Sequence, residues 1–119
     1  FHFMKIKALK SKIHNARVTD ANLEYEGSIS IDPRLLDRVG LQVYEKVHVL
    51  DLSNGARVET YVIKGEPNSG EICINGAAAH LIKTGNIVII LSYATFSKEE
   101  LTKHRPSIIF LDENNKPVD

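Results

Sequence analysis

The stretch KVHVLDLSNGARVETYVI, residues 46–63, decides how this chain folds. Val47 and Val49 fall on one side of an alternating run over residues 46–52, and a second run covers residues 57–63. A period of two marks a half-buried strand, and Asn54-Gly55 between two such runs signals a hairpin, because both residue types tolerate positive φ. Moving outward, residues 28–32 alternate with Ile29 and Ile31 on one face, and residues 71–74, 86–95 and 107–111 read as further strands. Residues 4–14 and 16–19 also read as extended. Lys5, Lys7, Lys10, Lys12 and Arg17 make this arm basic and predict a lysine-laced edge strand. One helix is announced in full: Asp32 as N-cap, Pro33 at the first helical position, Leu35, Leu36 and Val39 as an apolar stripe, and Gly40 to end it. A short helical segment is expected over residues 77–81, and residues 65–70 read as a hairpin loop. Six or more short strands with little helix predict a mainly β fold, preferably a compact barrel whose closure removes exposed strand edges.

Composition narrows the classes. A chain of 119 residues with 43% hydrophobic content predicts one folded domain, residues 4–119, with Phe1, His2 and Phe3 ahead of Met4 read as an added remnant. Fifteen Lys plus Arg balance fifteen Asp plus Glu, and this neutrality speaks against a nucleic-acid-coating surface. The longest aliphatic run, residues 87–91, is far short of the roughly 20 residues that a membrane helix needs. Cys73 is the only cysteine, so no disulfide framework or Cys-rich metal site forms within one chain. With no secretory leader read, a cytoplasmic setting is expected.

Several chemical motifs fail on inspection. Gly65 and Gly70 have phosphate-loop spacing, but Glu71 and Ile72 stand where Lys and Ser or Thr belong. Asp20, Asn22 and Glu24 imitate the start of a calcium loop, yet Tyr25 takes the glycine position and Ile31 the place of the terminal acid. His14, His48, His80 and His104 form no close pair, so no metal site is expected. Gly27-Ser28-Ile29-Ser30-Ile31 lacks the second glycine of a nucleophile elbow.

Two segments are not generic filler: Tyr25-Glu26-Gly27-Ser28, and the run from Asn75 through Gly76, Ala77, Ala78 and Ala79 to His80, accompanied by Arg57 and Thr60-Tyr61. Each alone has an ordinary turn or strand explanation. Together with Lys12, His14, Asn54-Gly55, Gly85 and Arg105-Pro106, they closely resemble the pyruvoyl-dependent L-aspartate alpha-decarboxylases, over nearly the whole chain. The resemblance implies a double-psi β-barrel, a homotetramer with sites between subunits, and self-cleavage between Gly27 and Ser28. It implies decarboxylation of L-aspartate to β-alanine and carbon dioxide, supplying pantothenate and coenzyme A synthesis.

Decarboxylating an α-amino acid leaves electrons on the α-carbon that no ordinary side chain delocalises, so a carbonyl sink is required. The resemblance implies that this sink is a pyruvoyl group made from Ser28, which takes the substrate amine as a Schiff base, with no pyridoxal phosphate and no metal. It implies Thr60 as oxyanion donor during cleavage, Tyr61 as proton donor, and Arg57 and Lys12 as cations for the two carboxylates. Asn75, Gly76, Ala77 and Ala78 are expected to line the substrate site, with His14 and Tyr25 in support. Glycine ahead of the serine is expected because it offers no Cβ to obstruct attack. The competing reading is a noncatalytic barrel that binds nucleic acid or peptide through its basic first strand.

Overall fold

The computed structural model describes residues 4–118, so the reading of Phe1–Phe3 as a remnant lies outside the described residues. Its strands are β1 (Ile6–Arg17), β2 (Asp20–Asn22), β3 (Ser28–Ile31), β4 (Lys46–Asp51), β5 (Arg57–Lys64), β6 (Ile72–Asn75), β7 (Ile87–Phe96), β8 (Ser107–Leu111) and β9 (Pro117–Val118). Two α-helices, α1 (Pro33–Val39) and α2 (Lys98–Lys103), and a 3-10 turn at Gly76–His80 complete the path. The strands form one mixed sheet in the order β2-β6-β3-β5-β4-β7-β1-β8-β9. The mainly β expectation holds.

One hydrophobic core gathers Ile13, Ile29, Ile31, Val47, Val49, Val62, Ile72, Ile74, Val88, Ile90 and Ile109 from seven of these strands, with Leu35, Leu36 and Val39 of α1. The register explains this. Ile13 lies opposite Ile90, Ile90 opposite Val49, and Val49 opposite Val58, so four strands present one apolar row to the interior. The sheet curls because neighbouring residues bond to distant strands. Val18 N–H donates to Asn86 O just ahead of β7, while Thr19 N–H donates to Ile72 O on β6.

The 46–63 stretch forms the antiparallel β4–β5 pair as expected, but its turn is longer than two residues. Only Gly55 has positive φ, at 75°; Asn54 instead accepts the Ala56 N–H through its side chain, and Asp51 accepts the Ser53 N–H. Helix α1 starts and stops where its caps predict. The Asp32 carboxylate accepts Arg34 N–H at 2.9 Å, and Gly40, at φ 71°, returns its N–H to Leu36 O.

Two expectations are corrected. β1 is not an edge strand: residues Ser11–Ile13 are paired with β7 on one side and with β8 on the other. Its lysines mark the face turned from the core, and Lys10 is taken up by Glu45 at 2.8 Å and by Gly40 O. Nor is 65–70 a hairpin loop, because β3 lies between β5 and β6. The fully buried Asp32 arranges this crossover by accepting Asn68 N–H and Gly70 N–H, each at 3.0 Å. Burial alone would raise its pKa; the N–H groups of Gly70, Arg34 and Asn68 outweigh burial and hold it below the ordinary value.

Two features went unread in the sequence. Ser97 and Glu100 form a capping box that starts α2. Beyond Leu111, Asn115 is buried and its side chain bonds Arg17 N–H, Arg17 O and Gly70 O.

Candidate active site

Ser28 is the first residue of β3 and lies opposite Asn75, the last residue of β6. The core-facing residues of these strands are Ile29 and Ile31 against Ile74 and Ile72, so Ser28, Ser30, Cys73 and Asn75 share the opposite face. Ser28 is nevertheless only 2% exposed. Its Oγ accepts a hydrogen bond from Asn75 Nδ2 at 3.0 Å and donates to Glu26 O at 3.3 Å. Asn75 Nδ2 also donates to Ser30 Oγ at 3.1 Å.

Gly76 brings two backbones into contact. A Cβ at Gly76 would meet Gly27 Cα at 2.7 Å and Gly27 N at 2.8 Å, and its φ is 78°, a conformation closed to most residues. Gly27 itself is exposed, and a Cβ there would meet nothing within 4 Å. In the resting structure the contact that demands glycine therefore falls on Gly76 and not on Gly27. Tyr25 is exposed, and its carbonyl oxygen would lie 3.1 Å from that Gly76 Cβ.

β5 runs parallel to β3 with Val62 beside Ile29. Continued one residue to the start of β3, this register sets Tyr61 beside Ser28, with Thr60 preceding Tyr61 on β5. Thr60 lies opposite core-facing Val47 and Tyr61 opposite Lys46, so Tyr61 shares the face that carries Ser28. Gly27, Ser28, Asn75 and Gly76 are thus brought together, with Tyr61 beside Ser28 on the neighbouring strand. Ala77 and Ala78 follow in the 3-10 turn, exposed and half-buried respectively.

Arg57, Lys12 and His14 are not brought to Ser28. Arg57 is four residues from Tyr61 on β5, about 13 Å along the strand. Its guanidinium donates to His48 Nδ1 at 3.3 Å and to Tyr93 Oη at 3.4 Å. The remaining His48 nitrogen lies 3.3 Å from Glu59. Lys12 stands at the far end of a cross-sheet row through Leu91, His48 and Glu59. His14 packs against Phe110 at 5.0 Å between ring centroids, and burial, then the charge of Lys12, lowers its pKa. His14 Nδ1 is buried without a hydrogen-bond partner among the described residues. A groove of about 560 Å³ beside Met4, Phe96 and Glu100 takes in none of these residues.

Ser30, Cys73, His48 and Tyr93 are neighbours of the proposed site residues that the sequence motifs do not single out. Alternation was the available signal, since Ser28 and Ser30, like Cys73 and Asn75, are two apart and share a face. Among the described residues, no group of three or more His, Cys, Asp or Glu is placed to hold a metal ion, and no helix is long and apolar enough to cross a membrane.

The fold and site define a small mainly β protein with a buried serine, a donor asparagine and two touching glycine backbones gathered where three strands start and end. Residues 4–118 match the family model described as aspartate decarboxylase, and the chain belongs to that family. It is 57% identical to the aspartate 1-decarboxylase of Thermoanaerobacter pseudethanolicus over 110 residues, covering 92% of this chain and 94% of the relative. The aspartate 1-decarboxylase of Caldicellulosiruptor saccharolyticus is 55% identical over 115 residues, covering 97% and 90%. That of Clostridium botulinum is 52% identical over 112 residues, covering 94% and 88%.

Proposed function

We propose that this chain is a self-processing, pyruvoyl-dependent aspartate decarboxylase that converts L-aspartate to β-alanine and carbon dioxide in the cytoplasm. The observation that carries this reading is the Ser28 hydroxyl, buried beside the Gly27–Ser28 bond and held by Asn75 at 3.0 Å. In processing, Ser28 Oγ attacks the Gly27 carbonyl carbon and the acyl group passes from nitrogen to oxygen. Elimination of that ester frees the Gly27 carboxylate and leaves dehydroalanine, and its hydrolysis releases ammonia and leaves a pyruvoyl group at position 28. Thr60, next to Tyr61 on β5, is the donor to the oxyanion; loss of one such donor typically costs about a hundredfold or more in rate.

The residues present fit such a group. Asn75 offers an N–H at Ser28 Oγ, and Gly76 leaves room for main chain to approach without a side chain. Once formed, the group supplies an electrophilic carbonyl that accepts the electrons left when carbon dioxide departs. The remaining roles belong to side chains of this protein. Tyr61, on the face of Ser28, holds the proton destined for the α-carbon. Arg57 presents a planar fork suited to a carboxylate, and Lys12 a second cation on the same sheet. Ala77 and Ala78 line the approach, and Tyr25 and His14 support the loop and the sheet face.

The separation of Arg57 and Lys12 from Ser28 supports a homotetramer in which one copy's cation face closes over another copy's serine. Exposed Tyr93, Ile108 and Phe110 on that face give it apolar area to bury, and the unpartnered His14 nitrogen lies among them. The nucleic-acid alternative is disfavoured, since Lys10 of the basic arm is already neutralised by Glu45.

Replacing Ser28 by Ala tests the reading. The unaltered chain is expected to give two fragments broken between residues 27 and 28 by intact mass, and to form β-alanine from aspartate. Ser28→Ala is expected to keep a single mass and form none. Product formation by Ser28→Ala refutes the mechanism.

A further inference from the structure

Beside Ser28 lie two polar side chains to which no role has been given, Ser30 and Cys73. They face each other across the β3–β6 pair, two residues along from Ser28 and Asn75. Cys73 Sγ donates to Asn75 Oδ1 at 3.3 Å, Asn75 Nδ2 donates to Ser28 Oγ at 3.0 Å, and Ser28 Oγ donates to Glu26 O at 3.3 Å. The donors all point the same way, from the thiol through the amide and the hydroxyl to a carbonyl one residue before Gly27. Ser30 Oγ takes the second proton of the Asn75 amide at 3.1 Å.

We infer that Cys73 and Ser30 are positioning residues that fix the Asn75 side-chain amide with its nitrogen toward Ser28, and so set the Ser28 hydroxyl for attack on the Gly27 carbonyl. An asparagine amide has two nearly isosteric orientations, and only the bonds at its two ends select between them. Ser28 has a single hydroxyl proton, and Glu26 O receives it, so Oγ presents lone pairs to Asn75 and requires the nitrogen there. The oxygen end must then receive a donor, which the thiol provides. Bonds in such a chain polarise one another, so losing the first weakens the last. Burial, with Asp20 and Glu71 nearby, pushes the Cys73 thiol up to about 11, so it keeps its proton and remains a donor at neutral pH. The same property makes it a poor nucleophile, which suits a positioning role better than a reactive one.

The test follows cleavage of the freshly made full-length chain by timed intact-mass measurement, beside its thermal unfolding midpoint. Cys73→Ala is expected to slow the appearance of the two fragments about fivefold, the worth of one lost hydrogen bond, and Ser30→Ala to slow it similarly. Cys73→Ser, which restores a donor, is expected to cleave within about twofold of the unaltered chain, a rescue that a purely packing role for sulfur does not give. Equal slowing by Cys73→Ala and Cys73→Ser, or no slowing by Cys73→Ala, overturns the inference. If Cys73→Ala does not fold, capping the thiol of the folded chain with methyl methanethiosulfonate at mildly alkaline pH removes the donor. Cleavage then slows and recovers on adding dithiothreitol; an unchanged rate overturns the inference. The inference rests on Gly27–Ser28 being the cleavage point, and the two fail differently. Absence of cleavage in the unaltered chain overturns both, whereas cleavage that Cys73→Ala leaves unmoved overturns only the inference.

Discussion

Ser28 and Arg57 occupy the same face of the sheet, yet Ser28 is 2% exposed and its polar partners come from its own chain, while Arg57 is exposed and held by hydrogen bonds of 3.3 and 3.4 Å. A buried polar group without a partner is costly, so the serine end is fully bonded within one chain. An exposed guanidinium pays no such penalty and keeps donors free for a ligand or another subunit. The difference separates two tasks. On the proposed function, bond breaking at Gly27–Ser28 would call only on groups that one copy supplies, whereas holding a dicarboxylate would call on cations that one copy places far from that bond.

The widest expected split comes from Gly76→Ala. The added Cβ would meet Gly27 backbone at 2.7 Å in a left-handed conformation, a strain of about 1–3 kcal/mol before the clash is counted. Fragment formation is expected to stop and the unfolding midpoint to drop by several degrees, read by intact mass and calorimetry. Normal processing by this variant would show that the two backbones need not touch. Arg57→Ala is expected to do the reverse: fragments form at the ordinary rate, while KM for aspartate rises about tenfold or more, the loss of a charge-assisted carboxylate contact. Slower fragment formation by Arg57→Ala would merge the two regions into one.

A pH series gives a smaller effect. Burial and Lys12 lower the His14 pKa below 6.5, so the unfolded chain takes up a proton there before the folded chain does. Stability owed to neutral His14 is therefore full above pH 6.5 and declines as the pH falls from 6.5 through the lowered folded value. His14→Gln is expected to flatten that acid-side decline in the unfolding midpoint; an unaltered slope would remove His14 from the account. The smallest effect is expected from Gly27→Ala. Its Cβ has open space, so the midpoint should move by no more than about a degree, and a larger fall would mean that the steric asymmetry between Gly27 and Gly76 is wrong.

Local chemistry was legible in the sequence wherever a few adjacent residues settle the outcome. Asp32, Pro33 and Gly40 bounded α1, and Asn54-Gly55 placed the β4–β5 turn. Ser97 and Glu100 carried an equally local signal that was passed over. Long-range pairing was not legible. Nothing near residues 65–70 announces that β3 inserts between β5 and β6, because the decision rests on Asp32 bonding residues 36 and 38 positions away. The lysines of β1 suggested an edge for the same reason, since charges on one face look alike whether or not a neighbour covers the strand's hydrogen bonds. At the site, the family resemblance named Ser28, Asn75 and Gly76, but which glycine is sterically required, and that Cys73 reaches Asn75, depend on strands meeting across the sheet.

The position of β1 bears on what the proposed backbone cut would leave behind. Nine residues of β1 pair with β7, Ser11–His14 also pair with β8, and the buried Asn115 grips Arg17 at the strand's end. The proposed cut after residue 27 would thus remove a covalent tether without freeing either piece. Separating them would require tearing out a central stave of the wall, so the nicked molecule should endure as a single body for as long as it stays folded.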